Sequence, residues 1–273
     1  MSTKAAEAKV MQEKARIEVI MRTILISCAS HLRSLVIERH YDFDLTSGLP
    51  VLPLLRDITI GTVNWYTAAD AHTRFPSLRR LHLLSLPRIS HSFWLAITKF
   101  APHITHLRLS RITQDTDISR FLRIILDIPR ALCQCPGPIC FSGACHEFSA
   151  ETAHASEAIT IASRLPNLEF IYVQPGVCAP RPRRTGYFEN SQMVEGLEAI
   201  ASSSARGEGV GRLVLLPPRA SYTFEDVRKD WLETVEGKDG AWPRARPGAW
   251  SASARAGWPE GHHAYRPGHH PPV

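Results

Sequence analysis

FPSLRRLHLLSLP, residues 75–87, decides how this chain is built. Leu78, Leu81 and Leu83 stand in the order apolar, two residues, apolar, one residue, apolar. Side chains alternate between the faces of a strand, so Leu81 and Leu83 share one face and Arg80 and His82 the other. The spacing returns as Leu32, Leu35, Ile37; as Leu55, Ile58, Ile60; and as Ile104, Leu107, Leu109. After a gap come Leu168, Ile171, Val173 and a weaker Val210, Leu213, Leu215. The first four triplets recur at steps of 23, 23 and 26 residues, the mark of a repeat architecture.

Helical or turn-rich stretches precede most triplets: 68–74, 92–100, 117–126, 150–164 and 193–203. Pro53, Pro76, Pro102 and Pro166 sit just ahead of four of them. Proline has no amide donor to continue a helix, so each should end a helix and start an extended segment. The unit is helix, proline, strand, loop. Neither element buries its apolar face alone, so neighbours must stack. The expected fold is α/β: a short, irregular solenoid with parallel concave strands and convex helices.

Residues 127–149 have no triplet and read as an irregular insertion. Residues 174–189, with APRPRRTG, read as a second loop whose arginines are solvated. Residues 4–30 read as a helix with Val10, Ile17, Met21, Ile24 and Cys28 on one core-facing side. From Lys238 onward the chain is rich in Gly, Pro, Ala, Arg and His, and disorder is expected there despite Trp242, Trp250 and Trp258. The organisation is a helical extension (1–15), a repeat domain (16–237) and a disordered tail (238–273).

The 273 residues carry a net charge of +6, half of which falls in the last 36 positions. The rest is only mildly basic and has no basic stripe interleaved with aromatics, so nucleic acid is not an expected partner. No apolar run reaches the length of a membrane span, so no membrane contact is expected. Glu7, Glu13 and Glu18 argue against a transit peptide. Four of six cysteines crowd into residues 133–145, unlike a disulfide framework. The expected location is intracellular, cytoplasmic or nuclear.

Cys133, Cys135, Cys140, Cys145 and His146 are ligand types for zinc. Their spacing misses that of a zinc knuckle at two points, so free thiols are expected and no metal. Cys145 and His146 are sequence neighbours, which point opposite ways on an extended chain, and do not form a nucleophile–base pair. GEGVG at 207–211 precedes a strand, the wrong order for a phosphate loop, and reads as a turn. His262, His263, His269 and His270 could take up metal only opportunistically. No hydrolase, zincin or kinase signature is present, so neither an enzyme nor a cofactor is expected.

The strands offer more. The open face should carry Val36 and Glu38; Asp57 and Thr59; Arg80 and His82; His106 and Arg108; Phe170 and Tyr172; Arg212 and Val214. Arg80, His82, His106, Arg108, Phe170 and Tyr172 are the candidate partner-binding residues, because arginine and tyrosine are typical interface anchors.

The triplets, with FPSLRRLHLLSLP and LPNLEFIYVQPG, resemble the leucine-rich repeat family in a degenerate form without its usual asparagine. More narrowly, residues 16–242 look like the repeat region of fungal F-box-associated proteins, where phrases like HLRSLVI and a closing segment like TFEDVRKDWLETVEGKDGAW recur. The resemblance implies repeats that recruit a protein target and an F-box that contacts a ubiquitin-ligase adaptor. Residues 1–15 carry no F-box pattern. The expected function is therefore a non-enzymatic interaction scaffold with an unidentified protein partner. The alternative is the substrate-recognition part of a ligase receptor whose F-box is missing from this chain.

Overall fold

The computed structural model describes residues 3–37, 50–61, 75–84, 91–113, 117–128, 165–177, 184–219, 222–238 and 240–242. Six strands form one parallel, open sheet: β1 (Ser34–Ile37), β2 (Asp57–Ile60), β3 (Arg80–Leu83), β4 (His106–Ile112), β5 (Phe170–Pro175) and β6 (Arg212–Leu215). Each strand pairs with the next in the chain. The register follows the triplets: Leu35, Ile58, Leu81, Leu107, Ile171 and Leu213 stand side by side, as do Ile37, Ile60, Leu83, Leu109, Val173 and Leu215.

The prolines set this phase through a recurring corner. In Leu52–Leu55, Phe75–Leu78, Ala101–Ile104 and Leu165–Leu168, the amide of the fourth residue donates to the carbonyl of the first at 3.1–3.3 Å. Proline is second each time, where its fixed φ suits the turn. First and fourth residues are all buried. Proline thus does more than stop a helix. It aims the chain into the strand, whose ladder starts one residue later: the Arg79 amide donates to the Arg56 carbonyl at 2.9 Å and the Thr105 amide to the Arg79 carbonyl at 2.8 Å.

Helices cover the leucine face. They are α2 (His91–Phe100), α3 (Asp117–Ile125) and α4 (Arg184–Ala205), while α1 (Thr3–Cys28), ahead of β1, contributes Leu25. Phe93, Trp94 and Ile97 of α2, Ile118 and Leu122 of α3, and Leu197 and Ile200 of α4 join the strand residues in one buried core. Leu81, Leu83, Leu107 and Leu109 are fully buried within it. The turn expected at GEGVG joins α4 to β6, with Gly207 and Gly209 at φ +81° and +93°. A Cβ at Gly209 would stand 2.2 Å from the Leu126 carbonyl oxygen, so glycine is required there.

Three expectations are corrected. The apolar side of α1 does not enter the core: Val10, Ile17 and Ile24 are exposed, and Leu25 alone is buried from this helix among the described residues. Helical periodicity predicts a face but not what covers it. The loop after β5 is shorter than 174–189, because β5 runs to Pro175 and α4 begins at Arg184. The chain does not lose order at Lys238, since Ala241 and Trp242 are buried against the sheet.

The stretches 68–74, 129–164 and 243–273 lie outside the described residues. So do Glu38, the cysteine–histidine cluster of 133–146 and the four histidines of 262–270. No helix among the described residues is long and apolar enough to cross a membrane.

Candidate functional site

The face opposite the leucines carries two rows in register. Ser34, Asp57, Arg80, His106, Phe170 and Arg212 form the first; Val36, Thr59, His82, Arg108, Tyr172 and Val214 form the second. All six candidate residues therefore lie on adjacent strands of one face, as the alternation requires.

The face is not open. A fifth helix, α5 (Phe224–Val235), crosses it, and the chain returns to place Ala241 and Trp242 on it. His82 is fully buried, and Arg108 and Tyr172 retain 5% and 3% of their exposure. This corrects the expected accessibility of the second row. The first row remains partly accessible: Arg80, His106 and Phe170 are half-buried.

Local chemistry explains why α5 forms where it does. Thr223 is its N-cap: its hydroxyl accepts from the Asp226 amide, and the Asp226 carboxylate accepts from the Thr223 amide at 2.8 Å. Two orphan amides are satisfied reciprocally. The Thr223 amide and hydroxyl, each donating to the Asp226 carboxylate at 2.8 Å, hold its carboxyl below its ordinary range, and the Arg219 guanidinium, 2.8 Å away, acts in the same direction.

Arg108 is the hub. One guanidinium nitrogen donates to the Ala241 carbonyl and faces Asp230 of α5 at 3.5 Å; another donates to Gln174 Oε1 at 3.4 Å. The Tyr222 hydroxyl also donates to Asp230, and the Tyr222 ring lies 5.3 Å from the guanidiniums of both Arg108 and Arg219. Gln174 in turn donates to the Pro217 carbonyl at 3.1 Å. Burial pulls the Arg108 pKa down, opposed by the Tyr222 and Asp230 oxygens. Burial pushes the Tyr222 phenol strongly up, so it stays a donor.

Rings close the rest of the cover. Trp242 stands edge-on to Tyr172 at 5.8 Å, His106 at 5.9 Å and His82 at 6.2 Å. Tyr222 stands edge-on to His82 at 5.3 Å. Within the first row His106 stacks on Phe170 at 5.1 Å, and Phe170 stacks on Tyr172 of the second row at 6.1 Å. Arg80 faces Asp57 at 3.6 Å.

One pair has the outline of a nucleophile and its base: His82 Nε2 lies 2.9 Å from Ser110 Oγ. Both residues are fully buried, and His82 Nδ1 has no hydrogen-bond partner to orient the ring. In a catalytic triad a third group orients the base through that nitrogen, and none does so here. Burial holds the His82 pKa well below its ordinary value, and the Arg108 charge adds to the shift.

The alternation located one side of this site. It missed the other side: Tyr222, Asp230 and Trp242. A signal was present in Thr223 and Asp226, whose spacing is that of a capping box. Comparison with known proteins returns no matching family model, no matching curated protein and no matching solved structure.

Proposed function

We propose that this chain is a non-enzymatic protein-interaction scaffold, built as a short leucine-rich-repeat-like solenoid, that takes a protein partner along its first row. The observation that supports this is the row itself. In-phase pairing sets Asp57, Arg80, His106, Phe170 and Arg212 on five neighbouring strands, partly exposed and chemically mixed. A stacked imidazole–phenyl pair between two arginines offers a flat anchor with charge on each side, the composition that interface hot spots favour. Arg108, His82 and Tyr172 support the row from beneath the cover instead of meeting the partner.

The test is capture by chemical crosslinking in cells, comparing the wild-type chain with Arg80→Glu/Arg212→Glu. Both arginines reach solvent, so the chain should stay folded, with a modest drop in the thermal transition because the Arg80 reversal sets a second carboxylate beside Asp57. A partner enriched by the wild type and lost by the double reversal supports the reading. A partner retained equally by both overturns it.

A further inference from the structure

We propose that the second row, His82, Arg108 and Tyr172, is itself a docking surface for an amphipathic helix bearing a carboxylate between aromatic residues, and that α5 with Trp242 is its built-in occupant. This goes beyond the function proposed above, which uses the neighbouring row.

The occupant has the form of a ligand. It is a capped helix laid on a sheet face, a recurring mode of peptide recognition. It offers a carboxylate, Asp230, to a buried arginine, with Tyr222 and Trp242 as ring anchors beside it. Any partner that replaces it must bring the same groups, because an arginine left without its carboxylate in an apolar site is strongly disfavoured.

Among the described residues, α5 buries fewer apolar side chains than α2 or α4 on the other face. The buried apolar residues of the occupant, among the described residues, are Tyr222, Val227, Ala241 and Trp242, in two small clusters separate from the main core. Trp231, Leu232 and Val235 of the same helix remain exposed. Arg108 Nε and His82 Nδ1 are buried beneath it with no hydrogen-bond partner. Each is a hydrogen-bond site that a better-matched helix could satisfy, although Trp94 Nε1 and Asn190 Oδ1, on α2 and α4, are buried and unpaired as well. Segments with few buried apolar contacts are also the ones that open first.

The experiment supplies the occupant in trans. A fluorescent peptide of residues 222–242 is titrated into the full-length wild type and into full-length Asp230→Ala/Trp242→Ala, whose own cover is weakened. A site competent for only a fraction of the time binds more weakly by that fraction. The peptide should therefore bind the double variant at least about ten-fold tighter than the wild type. Adding Arg108→Met should remove the gain. Equal or undetectable binding to both proteins, with the double variant still folded, overturns the proposal. Hydrogen exchange on the wild type decides independently if the variant does not fold. Amides of α5 should exchange at least about ten-fold faster than those of 193–201 in α4, and equal protection overturns the proposal. None of these variants changes Arg80 or Arg212, so failure here is distinguishable from failure of the first-row reading.

Discussion

Arg108 of β4 and Asp230 of α5 are 122 residues apart in the chain and 3.5 Å apart in space. The pair joins the repeat sheet to the segment that follows it. The Arg108 side chain is nearly buried and that of Asp230 one-fifth exposed, so the arginine loses more hydration than the carboxylate. Removing Asp230 alone should therefore cost more than removing both. Asp230→Ala should lose about 2–3 kcal/mol, and Arg108→Met/Asp230→Ala should lose less than the sum of the single changes by about 1 kcal/mol or more. Urea unfolding of the four proteins measures this, and strict additivity would contradict the coupling.

Leu107 is fully buried at the centre of the sheet, between Leu81 and Ile171. Leu107→Ala should cost about 2–5 kcal/mol, through lost transfer energy and the cavity left behind. Leu232→Ala on the exposed side of α5 should stay within about 0.5 kcal/mol. Similar losses for the two leucines would count against the core described here.

His82 predicts an acid-sensitive slope. Its pKa is well below the ordinary 6.5 when folded, through burial first and the Arg108 charge second. Between the folded and unfolded values, the unfolded chain binds a proton that the folded chain refuses. Stability is therefore intact above the unfolded value and is lost as pH falls from there toward the folded one. His106 moves in the same direction, so the contribution of His82 is read against a variant. From about pH 7.5 to about pH 5, wild-type stability should fall more steeply than that of His82→Phe, by up to about 1.4 kcal/mol per pH unit. Parallel curves would show that His82 does not titrate between these states.

Gly240 controls the return of the chain to the sheet. It has φ +53°, and a Cβ there would lie 2.2 Å from Thr234 Oγ1 and 2.4 Å from the Asp230 carbonyl oxygen. Gly240→Ala should lower stability by about 1–3 kcal/mol and loosen Trp242. A chain ending at Trp242 keeps every contact of Ala241 and Trp242 described here and should melt close to the full chain. One ending at 239 should melt clearly lower. Equal melting of the two truncations would mean that Trp242 does not hold α5 in place.

The strand register was legible in the sequence because each triplet carries its own signal within a few residues. Apolar alternation says which residues share a face, and a proline two positions ahead of Leu78 or Ile104 says where the strand begins. What lies over a face is a different kind of information. Tyr222, Asp230 and Trp242 meet His82 and Arg108 across more than a hundred residues of chain, and no period connects them. Arg108 consequently read as an exposed anchor and is a buried hub. Helix α1 shows the opposite error: Val10, Ile17 and Ile24 read as buried and face solvent, because an apolar side predicts a need for cover and not its supply. The half-exposed row of Arg80, His106 and Phe170 was found because it depends on alternation alone.

The proline corners make strand phase independent of connector length. The start residues of neighbouring strands are separated by 23, 23, 26, 64 and 42 positions, yet each strand begins in register with its neighbour, and the β4–β5 ladder shifts by a residue between Ser110 and Ile112, near the end of β4. Each corner is closed by its own hydrogen bond, so the counting restarts ahead of β2, β3, β4 and β5. Excursions between corners are then nearly free to vary: doubling a flexible connector adds only about 0.6 kcal/mol of closure entropy. The chain works like a ruled page, with line spacing set by the corners and line length left to drift. Foreign segments should be accepted between 129 and 164 far more readily than a single residue inserted between Pro102 and Leu107.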